Sequence, residues 1–256
     1  MTNEDARYPS LHERVVLVTG GATGIGAAHV RHFAAQGSRV AFLDVQADPA
    51  VMLAEEIAAA GQAKPMFVSC DLRDVGALRA AVAEVAKALG PVSVLVNNAA
   101  HDERHKWQDV TPAYWEDRLH VNLRHQFFAI QAVAPGMQAA KRGSIINFGS
   151  ISWHLGMGGM PAYTTSKAGV EGLTRSFARD LGPDGIRVNC VIPGWIITER
   201  QKALWLTPEA AEATLAAQCL KQMVMPDDVA RLVLWLAADD SRMCTSQNWT
   251  VDGGWR

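Results

Sequence analysis

The chain has 256 residues, with 24 basic side chains against 26 acidic ones and a formal net charge of −2. That length suits one large α/β domain or two small ones, and 49% hydrophobic with 20% charged residues is a globular composition. The near-neutral balance excludes the basic footprint of a nucleic-acid binder, and no apolar run reaches the ~18 residues of a membrane-spanning helix.

The first five residues are polar and acidic, without the basic and apolar regions of a secretory leader. The four cysteines (Cys70, Cys190, Cys219, Cys244) are widely spaced and form no CxxC pair, which argues against disulfide staples and structural zinc. Both features point to the cytoplasm. From there, short apolar runs alternate with longer helical ones. Val15–Thr19 is a β-branched run ending in glycines, and 24–36 reads as a helix. Arg39–Asp44 is a second strand, 50–60 an Ala/Glu-rich helix and 65–70 a third strand. Val75–Leu89 places Val75, Leu78, Val82 and Val85 at helical spacing. Strands follow at 92–96, 144–148 and 186–192, and 250–252 closes a seventh. Continuously apolar strands separated by helices predict a parallel, doubly wound Rossmann-type sheet with helices on both faces. We read a single domain over 1–256, with a dinucleotide site at 15–44, a catalytic segment at 150–167 and, in the least regular stretch, a substrate lid at 196–226.

The first strand runs into Thr19-Gly20-Gly21-Ala22-Thr23-Gly24-Ile25-Gly26, a glycine-rich turn opening a helix. In that setting Gly20 permits the tight turn, Gly24 lets the backbone approach a pyrophosphate, and Gly26 lets helix and strand pack closely. Free N–H groups at the helix start then face the phosphates. Asp44 ends the second strand 18 positions after Gly26, where a carboxylate bonds the adenine ribose hydroxyls and repels a 2′-phosphate. With neither Thr23 nor Val45 basic, NAD is the expected cofactor. Asp71 after the third strand is a candidate for the adenine amino group, or else a turn or cap residue. Tyr163 and Lys167, four apart, share a helix face. An ammonium beside a phenol favours the phenolate, so the pair suits deprotonation of an alcohol. Ser150 follows the strand Ile145-Ile146-Asn147-Phe148, and strand ends line the ligand crevice of such sheets.

Taken in order, Thr19-Gly20-x-x-x-Gly24-x-Gly26, Asn97-Asn98-Ala99, Asn122, Ser150, Tyr163-x-x-x-Lys167 and Pro193-Gly194 resemble the short-chain dehydrogenase/reductase family over nearly the whole chain. The resemblance implies Tyr163 as catalytic base, Ser150 positioning the substrate oxygen, Lys167 tuning Tyr163 and holding the nicotinamide ribose, and Asn122 holding a water. It implies a cofactor wall of Thr23, Ile25, Leu72, Asn98, Ala99, Ala100, Pro193, Gly194, Ile196 and Thr198; Ala100 stands where the family has glycine. It also implies a homo-oligomer, a tetramer, and the apolar run 127–137 is available for such contacts. Segments 102–106, 121–125, 146–154, 217–221 and 254–256 are similar to the bacterial NAD-dependent aldose 1-dehydrogenases, D-xylose enzymes foremost. L-arabinose, L-fucose and D-galactose are the alternatives.

A sugar needs many hydrogen-bond partners and a flat apolar wall. His101, Asp102, Ser152, His154, Trp195 and Gln201 are the candidates beside Ser150 and Tyr163, with Trp153 or Trp205 as further stacking faces. The bland readings are core tryptophans and a scaffold role for His154. His101-Asp102-Glu103-Arg104-His105 imitates the spacing of a zinc-binding helix but follows a strand, so no metal is expected. Two rivals stand: the same chemistry on a steroid, a hydroxyacyl thioester or another secondary alcohol, and a dinucleotide-sensing protein without catalysis, which has no use for Ser150, Tyr163 and Lys167 together.

Overall fold

The computed structural model describes residues 6–256; the acidic stretch 1–5, read above as lacking a leader, lies outside the described residues. Seven parallel strands form one sheet in the order β3-β2-β1-β4-β5-β6-β7. They are β1 (Val15–Thr19), β2 (Arg39–Asp44), β3 (Met66–Ser69), β4 (Val94–Asn97), β5 (Gly143–Phe148), β6 (Ile186–Pro193) and β7 (Asn248–Val251). The expected doubly wound fold is present. β1 and β2 have the predicted bounds, and β7 ends at Val251, within the 250–252 stretch expected to close it.

Strand period and core agree. Along β1, Val16 and Val18 enter one apolar cluster while Val15 and Leu17 enter the other. The same alternation splits Val94 and Val96 from Leu95, and Ile146 and Phe148 from Ile145. Helices α1 (Gly24–Ala35) and α9 (Pro226–Ala237) cover the first face together with α2 (Ala47–Ala59). Helices α3 (Val75–Leu89), α5 (His125–Ala140) and α6 (Pro161–Leu181) cover the second. Both faces being covered is why the strands are apolar throughout.

Helix α2 begins three residues earlier than the Ala/Glu run suggested. Pro49 sits in its first turn, where a missing N–H costs nothing. The short α4 (Pro112–Leu119) continues into a π-helical turn, His120–Arg124, before α5. The stretch read as an irregular lid contains two short helices, α7 (Glu199–Leu204) and α8 (Pro208–Ala217). The Thr198 and Thr207 hydroxyls cap them by accepting from Gln201 and Ala210 N–H. Among the described residues no helix is long and apolar enough to cross a membrane.

Strand order reverses between β1 and β4. The register aligns Thr19 with both Leu43 and Asn97, and Asn97 with Asn147, so the strands end together. The crevice outside such a reversal is where open α/β sheets bind ligands.

Candidate active site

At that edge lies a cavity of about 990 Å³. Its floor at one end is the turn between β1 and α1. Gly20 has φ of +66° and lies so close to Ala99 that a Cβ there would be 2.8 Å from Ala99 Cα. A Cβ on Gly26 would overlap the Gly20 carbonyl oxygen. These are the tight turn and the close packing expected of the two glycines. Gly24, at φ +56°, faces Thr198 rather than lining the cavity. Thr23 makes no side-chain cap on α1, so the first N–H groups of that helix remain available. A glycine cradle at an uncapped helix start fits a dinucleotide pyrophosphate.

Asp44, at the end of β2, is buried on the cavity wall. Its carboxylate accepts from Ala22 N–H at 2.9 Å and Gln46 N–H at 3.0 Å, locking the glycine turn to the strand end. Asp71 and Leu72 also line this end. Arg73 clamps the Asp71 carboxylate and holds its carboxyl below the usual range. Oδ1 of Asp71 also accepts Arg73 N–H, so the residue serves its own turn. Further along, Asn98 fixes the β4 end by donating to the carbonyls of Thr19 and Gly20. Thr23, Ile25, Ala99, Ala100, Pro193, Gly194, Ile196 and Thr198 also line this cavity. Gly194 allows another close approach, since a Cβ would lie 2.8 Å from Asp252 Cα.

Ser150 and Tyr163 meet at the other end, the serine hydroxyl hydrogen bonding the phenol. Burial pushes the Tyr163 phenol up to about 12, Ser150 opposing and the Asp102 charge adding to the rise. Lys167 stands four residues further along α6. The ammonium is itself buried, donates to the Phe148 carbonyl at 2.8 Å, and lies 5.6 Å from the Tyr163 ring centroid. Burial pushes Lys167 down to about 8.

Asn122 is fully buried and away from the cavity. Its amide clasps the His101 backbone, accepting from N–H at 2.8 Å and donating to the carbonyl at 3.2 Å. It thereby sets the loop after β4. His101, Asp102, Ser152, Trp195 and Gln201 line the cavity. Gln201 links two of them: its Oε1 accepts from Trp195 Nε1 at 2.7 Å and its Nε2 donates to Asp102 at 2.9 Å. Arg200 holds the other Asp102 oxygen. Burial would raise the Asp102 carboxyl, but Arg200 and Gln201 more than offset it and hold it low. Burial and the Arg118 charge push His101 down.

Two candidates are corrected. His154 does not line the cavity: its Nε2 donates to Glu171 at 2.7 Å and its Nδ1 faces Arg256. Trp153 likewise turns to Glu171 and stacks on His154. Arg118, Met157, Met160 and Trp255 line the cavity without having been singled out as site residues. They come from three separate segments, and only Trp255 fell in a stretch with a visible resemblance. His101 and His105 have different partners, Arg118 and Tyr114, so the zinc-like spacing does not converge.

A doubly wound sheet whose reversal point holds a glycine cradle at one end and a Ser/Tyr pair at the other defines a nicotinamide-dependent oxidoreductase. Comparison with known proteins narrows this. The family model described as enoyl-(acyl carrier protein) reductase matches residues 20–256. The chain is 51% identical to D-xylose 1-dehydrogenase of Caulobacter vibrioides over 98% of its length and 99% of the relative's. It is equally similar, over 99% of both chains, to "Probable galactose dehydrogenase GalD" of Rhizobium meliloti. The crystal structure of 3-oxoacyl-[acyl-carrier protein] reductase from Brucella melitensis superposes with a TM-score of 0.90 at 30% identity, over 97% of this chain and 94% of that one. The chain belongs to the short-chain dehydrogenase/reductase family, and its cofactor is a nicotinamide dinucleotide.

Proposed function

We propose that the protein oxidises the C1 hydroxyl of a cyclic aldose, D-xylose first, to the aldonolactone with NAD. The observation that carries this reading is 51% identity, over nearly the full chain, to relatives named for D-xylose and galactose. The cavity suits it. Beside Ser150 and Tyr163 stand His101, Asp102, Ser152 and Gln201 as polar partners, with Trp195 and Trp205 as flat apolar faces.

In this mechanism the anomeric hydroxyl sits between Ser150 and Tyr163. Ser150 Oγ holds the oxygen and Tyr163 accepts its proton. When bound, the cofactor supplies the hydride acceptor and, oxidised, a positive charge in the same cavity. A phenol raised to about 12 needs such a charge to ionise at neutral pH. Lys167, whose Nζ donates to the Phe148 carbonyl, ties the helix of Tyr163 to the end of β5 that carries Ser150. Asn122 serves by setting the loop of His101 and Asp102. The segment 196–226, with Trp195 before it, forms the lid.

NAD rather than NADP follows from Asp44 on the wall. The Arg73 guanidinium on the same wall is engaged by Asp71 and Asp117 and is not offered to a 2′-phosphate. A cytoplasmic homotetramer completes the reading. The four cysteines are free, and Phe127, 40% exposed, packs with Phe128 and Phe177 on an apolar face open to a partner.

The test is NADH formation, followed by absorbance, with D-xylose, L-arabinose, D-galactose, L-fucose and D-glucose. Turnover of one or more sugars supports C1 oxidation and their ranking identifies the pocket. No turnover by protein shown to bind NAD would defeat the aldose reading.

A further inference from the structure

Glu171 lies eight residues after Tyr163 and four after Lys167 on α6, so the three share a helix face. It is buried, and both carboxylate oxygens are used. Oε1 accepts from Trp153 Nε1 at 2.8 Å and His154 Nε2 at 2.7 Å, while Oε2 accepts from Asn248 Nδ2. Trp153 and His154 belong to the turn that begins at Ser150, and Asn248 opens β7. One carboxylate therefore ties the helix of the base, the turn of the serine and the last strand together.

The contact chain continues outward. His154 Nδ1 meets the Arg256 guanidinium. A guanidinium only donates, so Nδ1 accepts and the ring proton sits on Nε2. The imidazole is fixed between the buried Glu171 carboxylate and the Arg256 guanidinium. Its ring lies 3.7 Å, centroid to centroid, from that of Trp153. Next to Arg256, Trp255 lines the cavity and packs against the apolar group of Ile151 and Val170. The Asp252 carboxylate steadies this tail by accepting Gly254 N–H at 2.8 Å and Arg256 N–H at 3.1 Å.

We propose that Glu171, His154 and Arg256 are positioning residues. They form a latch that registers the Ser150 turn against the Tyr163 helix and presses Trp255 into the substrate end of the cavity. None of the three lines the cavity. Glu171 governs the Ser150–Tyr163 geometry, hence the chemical step. Arg256 governs the Trp255 wall, hence substrate binding. The inference rests on the proposed alcohol site between Ser150 and Tyr163.

The test separates kcat from KM for the preferred aldose and measures the NAD dissociation constant in each variant. Arg256→Ala raises the sugar KM about tenfold with kcat little changed, and this effect vanishes in a Trp255→Ala background. Glu171→Gln lowers kcat about tenfold while NAD binding stays intact. His154→Gln, which can still donate to Glu171, recovers most of the kcat lost in His154→Ala. Independent effects of Arg256→Ala and Trp255→Ala, or an unchanged sugar KM in Arg256→Ala, overturn the latch. Equal losses in the two His154 variants overturn it too. Should the buried Glu171 variant fail to fold, the Arg256–Trp255 cycle at the surface still decides. If the wild type oxidises no aldose, the aldose reading falls, and the same cycle is run with whichever alcohol reduces NAD.

Discussion

Two buried histidines set the acid limit of this fold. His29 on α1 and His125 at the start of α5 are both fully buried. Burial pushes each down to about 3, with His32 adding to the effect at His29 and Lys167 at His125. Both are therefore neutral in the folded chain and protonate near 6.5 when it unfolds. The sign follows directly. A depressed histidine contributes stability that is complete above 6.5 and is lost as pH falls towards about 3. At pH 5 the unfolded chain gains about 1.5 pH units of protonation free energy per histidine, or about 2 kcal/mol each and about 4 kcal/mol for the pair. That is a large share of the 5–15 kcal/mol typical of a domain. Replacing both by leucine removes the liability, since a neutral apolar side chain takes up no proton.

The assay is urea denaturation at pH 7, 6 and 5 and at fixed protein concentration, because association would otherwise shift the midpoint. The wild type loses stability steeply over this range. His29→Leu/His125→Leu loses less, its slope below pH 6.5 reduced by about 2.7 kcal/mol per pH unit, the value for two protons. The buried-neutral assignment is refuted if the double variant keeps the wild-type slope. The low-lying carboxyls of Asp102, Asp117 and Asp239 add their own losses, but these fall below the range measured.

The remaining predictions concern the site. Tyr163→Phe lowers kcat by about 10²–10⁴ with NAD affinity nearly unchanged, seen by steady-state rates and fluorescence titration; near-full activity excludes Tyr163 as the base. Asp44→Ala erodes the preference for NAD over NADP about tenfold or more, measured as a ratio of kcat/KM values. It also loosens the glycine turn by removing the acceptor of Ala22 N–H. Gly26→Ala abolishes dinucleotide binding in a chain that keeps its far-ultraviolet circular dichroism, because the new methyl overlaps the Gly20 carbonyl. Arg200→Met moves the ascending limb of kcat/KM to higher pH, since it leaves the Asp102 charge uncompensated near Tyr163, and Asp102→Asn moves it back. A limb that stays put in both variants shows that this pair does not act on the base.

What was legible in the chain follows a physical rule. The strands were legible because β-branched apolar runs have few alternatives, and the glycine turn because a missing Cβ at Gly20 and Gly26 has an unambiguous steric use. The side chains after Ser150 were not. Trp153 and His154 sit in turns, where neither the period of two nor that of 3.6 dictates which way a side chain points. Their direction is decided by Glu171, seventeen and eighteen residues away, through bonds no local pattern announces. Arg118, Met157 and Met160 were missed for a related reason. A cavity wall is assembled from separate segments by the fold, and a single arginine or methionine carries no signal of that in sequence.

Asp102 shows how a correct placement can still carry a different role. It lines the cavity, as its position after β4 implied, but both its oxygens are already engaged by Arg200 and Gln201 from α7. A carboxylate offers about four acceptor sites, so capacity remains for a sugar hydroxyl. Yet the charge is the more consequential property, because it raises the Tyr163 phenol that must ionise for an alcohol to be oxidised. Arg200, and Arg104 stacked over Trp205, act in the opposite sense. In the proposed mechanism Arg104 and Arg200 thus do two things at once: they line one side of the cavity, and they supply the positive charge that makes an acidic sugar ligand compatible with a tyrosine base beside it.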